Sequence, residues 1–186
     1  MTIHTIQTPI SNEMLHALRA GDLVRISGVI YGARDAAHKR MVEALANGEA
    51  LPVALTGQII YYVGPAPAKE GYAIGPAGPT TSGRMDPYTV ALLEQGVKGF
   101  IGKGYRSAAV KQALVQHSAI YMAAVGGAAA LLARQIEQSR VVAYADLGTE
   151  AIYEFVVKEF PAIVVNDVYG GDAYEAGRAA FAQISD

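Results

Sequence analysis

Two kinds of hydrophobic spacing alternate along the chain. Residues 23–31 are rich in β-branched and aromatic side chains that partly alternate with polar or small ones, and this pattern predicts a strand. Residues 35–47 instead place Ala37, Met41 and Leu45 on one stripe, which is the spacing of a helix with one buried face. The second half of the chain repeats this change of spacing several times, so strands and helices are expected in alternation.

The same criteria predict further elements on both sides of a Gly- and Pro-rich region. Helices are predicted over residues 11–20, 35–47, 87–95, 108–117, 128–139 and 174–183, and strands over 23–31, 58–63, 72–74, 99–101, 119–124, 140–144 and 163–166. This order favours an α/β fold, and the β-rich first half suggests an added β layer. No internal repeat and no linker divides the chain, so residues 1–186 are predicted to form a single domain.

Composition and charge narrow the function classes. The chain has 186 residues with 52% hydrophobic and 17% charged side chains, which is typical of a globular protein with a proper core. A net charge of -2 argues against a general nucleic-acid binder, because such proteins need a strong positive field. It leaves room for a small anionic ligand held by a few local cations.

Two absences in the sequence set expectations about compartment and cofactors. The first ten residues lack the pattern of a signal peptide, and the longest apolar stretch, residues 119–133, is shorter than the roughly 20 residues of a membrane span. We therefore expect a cytoplasmic protein that does not enter a membrane. The chain has no cysteine, so it offers no thiolate nucleophile and no thiolate ligand for an iron–sulfur cluster.

The Gly-Pro-Ala-Gly-Pro-Thr-Thr-Ser-Gly-Arg string at residues 75–84 is the first candidate for chemistry. Its glycines allow close approach to a ligand, and its N–H groups could be aimed at an anion. Thr80 and Thr81 add hydroxyl groups, and Arg84 adds a planar fork suited to a carboxylate. The residue types alone fit a tight loop with a Ser or Thr cap equally well.

Three other segments carry polar residues at junctions. Arg34 lies where a predicted strand meets a predicted helix, and Asp35 is a plausible N-cap or first-turn acid of that helix. For His38, a structural hydrogen bond is favoured over catalysis. Lys103 lies between two glycines and could reach an anion, although by itself this segment is better interpreted as a flexible turn with an exposed lysine. The two carboxylates in residues 146–150 could form an acid/base pair, but helix capping around Glu150 is favoured, and the histidines and acids show no metal-ligand spacing.

Six segments of the chain together resemble class I fumarases and the related L-tartrate dehydratases. They are GARDAAHKR, GPTTSGRMDPYT, GKGYRS, AAVGGAAALLA, YADLGTEAIYEF and FPAIVVNDVYGGD, and they occur in the order found in that family. The likeness runs from about residue 10 to residue 174 and is closest to the separate β subunit or the C-terminal domain of single-chain enzymes. It implies a three-layer β/β/α "swivelling" domain.

The resemblance also implies a reaction and a division of labour. Family members reversibly add water across the double bond of a dicarboxylate, such as fumarate to (S)-malate in the tricarboxylic acid cycle. A Cys-containing α subunit would hold a 4Fe–4S cluster with one open iron and supply an aspartate as the catalytic acid. Two α and two β subunits are expected to form a heterotetramer.

Site residues follow from the resemblance position by position. It assigns binding of the substrate carboxylates to Arg34, Arg84 and Lys103. It places Thr80 at the reacting carbons as the candidate base, with Thr81 beside it. The Ser-Gly-Arg-Met-Asp-Pro stretch favours fumarate as the substrate. A tartrate or other hydroxy-dicarboxylate dehydratase subunit, or a non-catalytic dicarboxylate-binding module, stays open as an alternative.

Overall fold

A computed structural model of the chain describes residues 2–125 and 127–182. These residues form a mixed α/β fold with one seven-stranded sheet. The strands are β1 (Ile3–Gln7), β2 (Leu23–Gly32), β3 (Ile59–Tyr61), β4 (Gly99–Gly102), β5 (Ile120–Ala123), β6 (Ile136–Ala143) and β7 (Ile152–Asn166). The α-helices are α1 (Asn12–Ala17), α2 (Asp35–Ala46), α3 (Asp86–Glu94), α4 (Ala108–Gln116), α5 (Ala129–Arg134) and α6 (Ala173–Phe181).

The long strands β2 and β7 close the sheet on itself. Strands β1 to β5 pair with their sheet neighbours in parallel, whereas β7 runs antiparallel to β2, β5 and β6. Because β7 pairs with both β2 and β5, the order β2–β3–β4–β5–β7 forms a closed ring. Strand β1 pairs with the first half of β2, and β6 pairs with the first half of β7.

Both faces of the central strands are buried, which explains their continuous apolar runs. Ile59 and Tyr61 contribute to an apolar cluster that contains residues from all seven strands. Ile60 and Tyr62 point into a second cluster, which helices α2, α3 and α4 complete. The α/β prediction is confirmed by this arrangement, and the three-layer layout stays a prediction.

Three element predictions are corrected by the structure. Residues 72–74 do not form a strand: bends lie at residues 73–75, where the segment folds back and the Gly75 N–H donates to the Ala66 carbonyl. The helix predicted over 128–139 ends at Arg134, and β6 begins at Ile136 by pairing with Val157 of β7. Only the last four residues of β7 were predicted as a strand. The end of the predicted helix 174–183, at residue 183, lies outside the described residues.

Candidate functional site

The candidate site lies at the carboxyl ends of the parallel strands. Arg34 follows β2 and occupies the N-cap position of α2, while Lys103 follows β4 directly. Parallel neighbours end at the same edge of a sheet, which is where both open and closed α/β sheets commonly bind ligands. The loop of residues 75–84 reaches this edge after a long excursion from β3.

Backbone pairing inserts the two threonines between the ends of β3 and β4. The Thr80 N–H donates to the Tyr62 carbonyl at 2.7 Å, and the Lys103 N–H donates to the Thr80 carbonyl at 3.2 Å. The Ser82 N–H in turn donates to the Lys103 carbonyl at 2.8 Å, and Thr81 forms a parallel bridge with Lys103. Thr80 is half-buried, whereas Thr81 and Lys103 are exposed, so all three lie side by side at the surface.

A buried hydroxyl pair holds this loop against β4. The Ser82 hydroxyl donates to the Tyr121 hydroxyl at 2.9 Å, which donates to the Gly104 carbonyl at 2.8 Å. Burial raises the pKa of Tyr121, so its phenol stays protonated and keeps this donor. Gly102 provides the space, because a Cβ atom there would overlap the Ser82 Oγ atom.

One carboxylate joins the two predicted arginines. The Asp35 carboxylate accepts from Arg34 Nε at 3.1 Å and from Arg84 Nε at 2.8 Å. Burial opposes ionisation of Asp35, but its own backbone N–H and the charges of Arg84 and Arg34 outweigh burial and lower its pKa. The structure therefore brings the arginines together around an ionised aspartate.

A second carboxylate holds Arg34 from the other side. Glu150 forms an ion pair with Arg34 Nη2 at 3.0 Å and accepts a hydrogen bond from the Ala36 N–H in the first turn of α2 at 2.8 Å. The interpretation of Glu150 as a capping residue is confirmed, although the capped helix is α2 and lies far away in the sequence. Gly64 makes room for this arginine, since a Cβ atom there would lie 2.9 Å from Arg34 Cδ.

The expectation that the backbone of the 75–84 loop is aimed at an anion is wrong for five of its N–H groups. These five donate to carbonyls of the chain itself, and they belong to Gly75, Ala77, Thr80, Ser82 and Arg84. A loop with three glycines and two prolines leaves the strand ladders, so neighbouring segments must satisfy its donors. Side chains, more than the backbone, are left to bind a ligand here.

The site keeps an excess of positive charge. The cations Arg34, Arg84 and Lys103 contribute +3, while Asp35 and Glu150 contribute -2, which leaves +1. None of the ion pairs among the described residues involves Lys103. A ligand with carboxylates therefore meets one unpaired ammonium group and two arginines whose Nε atoms are already fixed.

Comparison with known proteins identifies the family of this chain. A model of the fumarase C-terminus family matches residues 2–177. The chain belongs to the fumarase C-terminus family. The resemblance predicted from the sequence is thereby confirmed.

The relatives of this fumarase C-terminus chain fall into two sizes. It is 40% identical to "Fumarate hydratase 2" of Leishmania major over 87% of its own length and 29% of that protein. It is 42% identical to "Fumarate hydratase class I, aerobic" of Escherichia coli over 81% of its length and 28% of that protein. It is 37% identical to a Methanocaldococcus jannaschii protein named as an L(+)-tartrate dehydratase subunit beta, over 85% of its length and 84% of that protein. The chain thus spans about a third or less of the length of the fumarate hydratases it matches.

The sequence analysis missed a buried arginine that links several segments of the chain. Arg106 is 6% exposed and donates to Asp86 at 2.7 Å, to the Tyr62 hydroxyl at 3.1 Å and to the Thr89 hydroxyl at 2.6 Å. Asp86 also accepts from the Ser107 N–H and so ties the start of α3 to the segment after β4. The available signal was the joint presence of Arg106 in GKGYRS and Asp86 in GRMDPYT.

His38 plays the structural part predicted for it. Its Nδ1 atom is 3.0 Å from the Arg34 carbonyl, and its ring packs edge-on against Tyr62. Full burial lowers the pKa of His38 to about 4, so the ring is neutral at physiological pH. With Nδ1 donating to the carbonyl, the unprotonated Nε2 finds no hydrogen-bond partner in the part of the chain that the structure describes.

Neither a metal site nor a membrane helix is found in residues 2–125 and 127–182. No group of three or more His, Cys, Asp or Glu side chains there could hold a metal ion. No helix in the same ranges is long and apolar enough to cross a membrane.

Proposed function

We propose that the chain is the β-subunit-type part of an iron–sulfur hydro-lyase that interconverts fumarate and (S)-malate. One observation carries the proposal: Asp35 joins Arg34 and Arg84 beside the backbone pairing of Thr80 with Lys103. A dicarboxylate needs cations at two ends and a base near its central carbons, and these residue types lie together here. Membership of the fumarase C-terminus family supports the same reaction.

The three cations would bind and orient the substrate carboxylates. Guanidinium groups suit the planar carboxylate through paired N–H donors, and Lys103 supplies a mobile point charge. Removing a proton from the carbon next to a carboxylate moves an electron pair toward that carboxylate, giving an enediolate-like species. Fixed cations stabilise this added charge most where water is excluded.

Thr80 is proposed to move the proton at the reacting carbon. In the direction from (S)-malate, its oxygen takes a proton from the carbon beside a carboxylate, and in hydration it returns one. A threonine hydroxyl is a weak base, so it needs a neighbouring positive charge to lower its pKa. Lys103 is the neighbour that its backbone pairing provides, with Thr81 beside it to contact the substrate.

The residues of this chain do not fit an iron–sulfur cluster. The sequence has no cysteine, and the described residues hold no group of His, Asp or Glu side chains suited to a metal. A Cys-containing partner is proposed to hold a 4Fe–4S cluster, which would supply a Lewis acid for the hydroxyl group. The catalytic acid, an aspartate, is assigned to the same partner.

The proposed partner is an α chain, in a heterotetramer of two α and two β subunits in the cytoplasm. The fumarate hydratases that the chain resembles are about three times its length, so a second unit is expected to complete the activity. The three-layer "swivelling" arrangement belongs to the same proposal, since rotation of this domain would open and close a site shared with the partner.

A tartrate dehydratase subunit is the second candidate, and one observation favours it. The Methanocaldococcus jannaschii protein matched over 84% of its own length is named as a subunit beta, so its size resembles that of this chain. Fumarate remains preferred because the fumarate hydratases match at higher identity, 40% and 42% against 37%.

Co-expression with a Cys-containing α chain under anaerobic conditions tests the proposal. Fumarate, (S)-malate and L-tartrate are offered to the purified complex, and turnover of fumarate and malate is expected. Preferential dehydration of L-tartrate would identify the second candidate. An assembled complex with an intact cluster that turns over none of them, while the chain binds a dicarboxylate, would make it a non-catalytic binding module.

A further inference from the structure

A place in the first turn of α2 does not by itself explain why Asp35 contacts two arginines. Its two oxygens contact the Nε atoms of different arginines, one from the start of α2 and one from the 3-10 helix Ser82–Met85. The three side chains are partly exposed, at 27% for Asp35, 25% for Arg34 and 50% for Arg84. A carboxylate that only neutralised charge on a surface would be free to pair with a single cation.

The choice of atoms in these contacts is informative. Each arginine gives its Nε–H to Asp35, so the Nη groups at the outer end of each fork remain for other partners. Glu150 takes one Nη of Arg34. The Nη groups of Arg84 donate no hydrogen bond within residues 2–125 and 127–182. The aspartate therefore fixes each fork without consuming the whole of it.

We propose that Asp35 is a positioning residue that sets the two guanidinium groups for the substrate carboxylates. This inference rests on the proposed function and deepens it. Two arginines on separate elements repel each other and each has a long, flexible side chain. An anion between their Nε atoms offsets the repulsion and limits the rotation of both, so that their remaining donors meet the substrate in one arrangement.

Asp35 also limits how strongly the site attracts any anion. With Asp35 ionised, the local charge is +1, from three cations and two carboxylates. Replacing Asp35 by a neutral residue raises it to +2, which strengthens attraction of dianions while it loosens both forks. Loss of Asp35 should thus weaken the orientation of the substrate but strengthen its attraction to the site, and separate measurements of kcat and KM can distinguish the two effects.

Asp35→Asn in the assembled enzyme is the test, with Asp146→Asn as the matched control. Asp146 accepts from Arg40 at 2.8 Å through both oxygens and contacts neither Arg34 nor Arg84. For Asp35→Asn we expect kcat to fall by about tenfold or more, because orientation is lost, with a KM that does not rise. For Asp146→Asn we expect both constants to stay as in the wild type.

Each outcome of this comparison either supports or overturns the positioning role of Asp35. A kcat of Asp35→Asn within about twofold of the wild type overturns the positioning role. If only KM falls, Asp35 affects the site through its charge alone. If only Tm falls, Asp35 affects the stability of α2 alone. Partial recovery of kcat in Asp35→Glu, which restores the anion at a longer reach, supports the positioning role. Equal losses in Asp35→Asn and Asp146→Asn would show a general effect of removing charge and would also overturn it.

A second measurement does not depend on turnover. In the full chain, NMR signals of the arginine Nε–H groups report whether each is hydrogen-bonded, and Arg34→Lys and Arg84→Lys assign the two signals. We expect slow exchange with water for both in the wild type and fast exchange in Asp35→Asn. Fast exchange in the wild type would overturn the bridge itself. A wild-type complex without any hydratase activity would instead overturn the proposed function and leave the bridge standing.

Discussion

At the scale of single residues, the backbone and the side chain of Thr80 contribute separately to the site. The backbone of Thr80 is committed on both sides, to Tyr62 through its N–H and to Lys103 through its carbonyl. Its hydroxyl group takes no part in that pairing. A side chain can then be exchanged while the loop stays in place, which makes the chemistry of Thr80 testable by substitution.

Thr80→Ala should keep the fold and the assembly but lose kcat by about 10²-fold or more, because proton transfer by a positioned group contributes that much or more. KM should change far less, since the contact is made chiefly in the transition state. Thr80→Ser should retain part of the rate. Single-turnover kinetics and solvent-deuterium exchange at the reacting carbon check this. Wild-type exchange in Thr80→Ala would show that another group is the base.

Arg84→Lys should harm the enzyme although it keeps the charge. Arg84 gives Nε–H to Asp35 and still has two Nη groups for a carboxylate, whereas an ammonium group cannot serve both in one plane. We expect a fall in kcat/KM on the order of tenfold to a thousandfold, toward the larger value if the partner excludes water from the pair. Arg40→Lys, on the ion pair with Asp146, is the control and should be neutral.

His38 should make the stability of the fold depend on pH. Burial and the charge of Arg106 lower its pKa to about 4, against the opposing effects of the Arg34 carbonyl and Asp35. The unfolded chain then binds more protons than the folded one between pH 4 and the ordinary histidine value of about 6.5. The free energy of unfolding should therefore fall as pH drops through this window, by on the order of 3 kcal/mol in all.

Urea unfolding at a series of pH values measures that loss. His38→Gln should flatten the curve above pH 4, because it removes the buried group whose pKa is lowered. Carboxylates with lowered pKa values, such as Asp35 and Asp22, lose their stabilising effect at lower pH and do not interfere. An equally steep curve in His38→Gln would contradict the assignment.

At the scale of elements, the position of the loop of residues 75–84 depends on the absence of a side chain at Gly102. A Cβ atom there would overlap Ser82 Oγ and approach Tyr62 to 2.9 Å, so the loop or the strand must shift. Gly102→Ala should lower the free energy of unfolding by about 1–3 kcal/mol, as overpacking does. Gly83→Ala is the matched control, because its Cβ would meet its nearest neighbour, the Tyr105 carbonyl, at an ordinary 3.6 Å. Equal stability of the two variants, measured by urea unfolding, would contradict this packing.

How far sequence predicts each element depends on where its stabilising contacts lie. Helix α2 was predicted within one residue, since its stripe and its acidic first turn are local signals. The helix predicted through residue 139 failed because pairing of Ile136 and Ser139 with β7 overrides helix propensity. The first part of β7 was missed because Lys158, Glu159 and Pro161 interrupt its apolar pattern, although the strand continues through them.

The same distinction holds for the site. Arg34, Thr80, Arg84 and Lys103 were named from local motifs, and the structure brings them to one edge of the sheet. The roles of Glu150 as the cap of α2 and of Arg106 as a buried tie depend on partners more than 15 residues away. No local spacing encodes such contacts, so they become visible only once the chain is folded.

At the scale of the whole molecule, the core and the candidate site differ in how far this chain encloses them. The two apolar clusters are filled by residues of this chain alone. The candidate site, in contrast, holds cations and a hydroxyl group on an open edge. Tyr105, next to Gly104, is 60% exposed at this edge, although its ring packs edge-on against Tyr174 and lies beneath the Arg178 guanidinium group. A partner surface would both exclude water here and add the missing groups.

The purified chain alone should therefore show no fumarate hydratase activity, and addition of the Cys-containing partner should restore it. The physical reason is that the chain offers no thiolate for a cluster, and water at an open edge weakens the stabilisation of charge by its cations. Fumarate consumption by the chain, by the partner and by their mixture measures this, with the Thr80→Ala chain purified in parallel. Activity that persists with Thr80→Ala comes from a contaminating host enzyme. Turnover by the wild-type chain alone, absent from the Thr80→Ala preparation, would show that this chain completes the site without a partner.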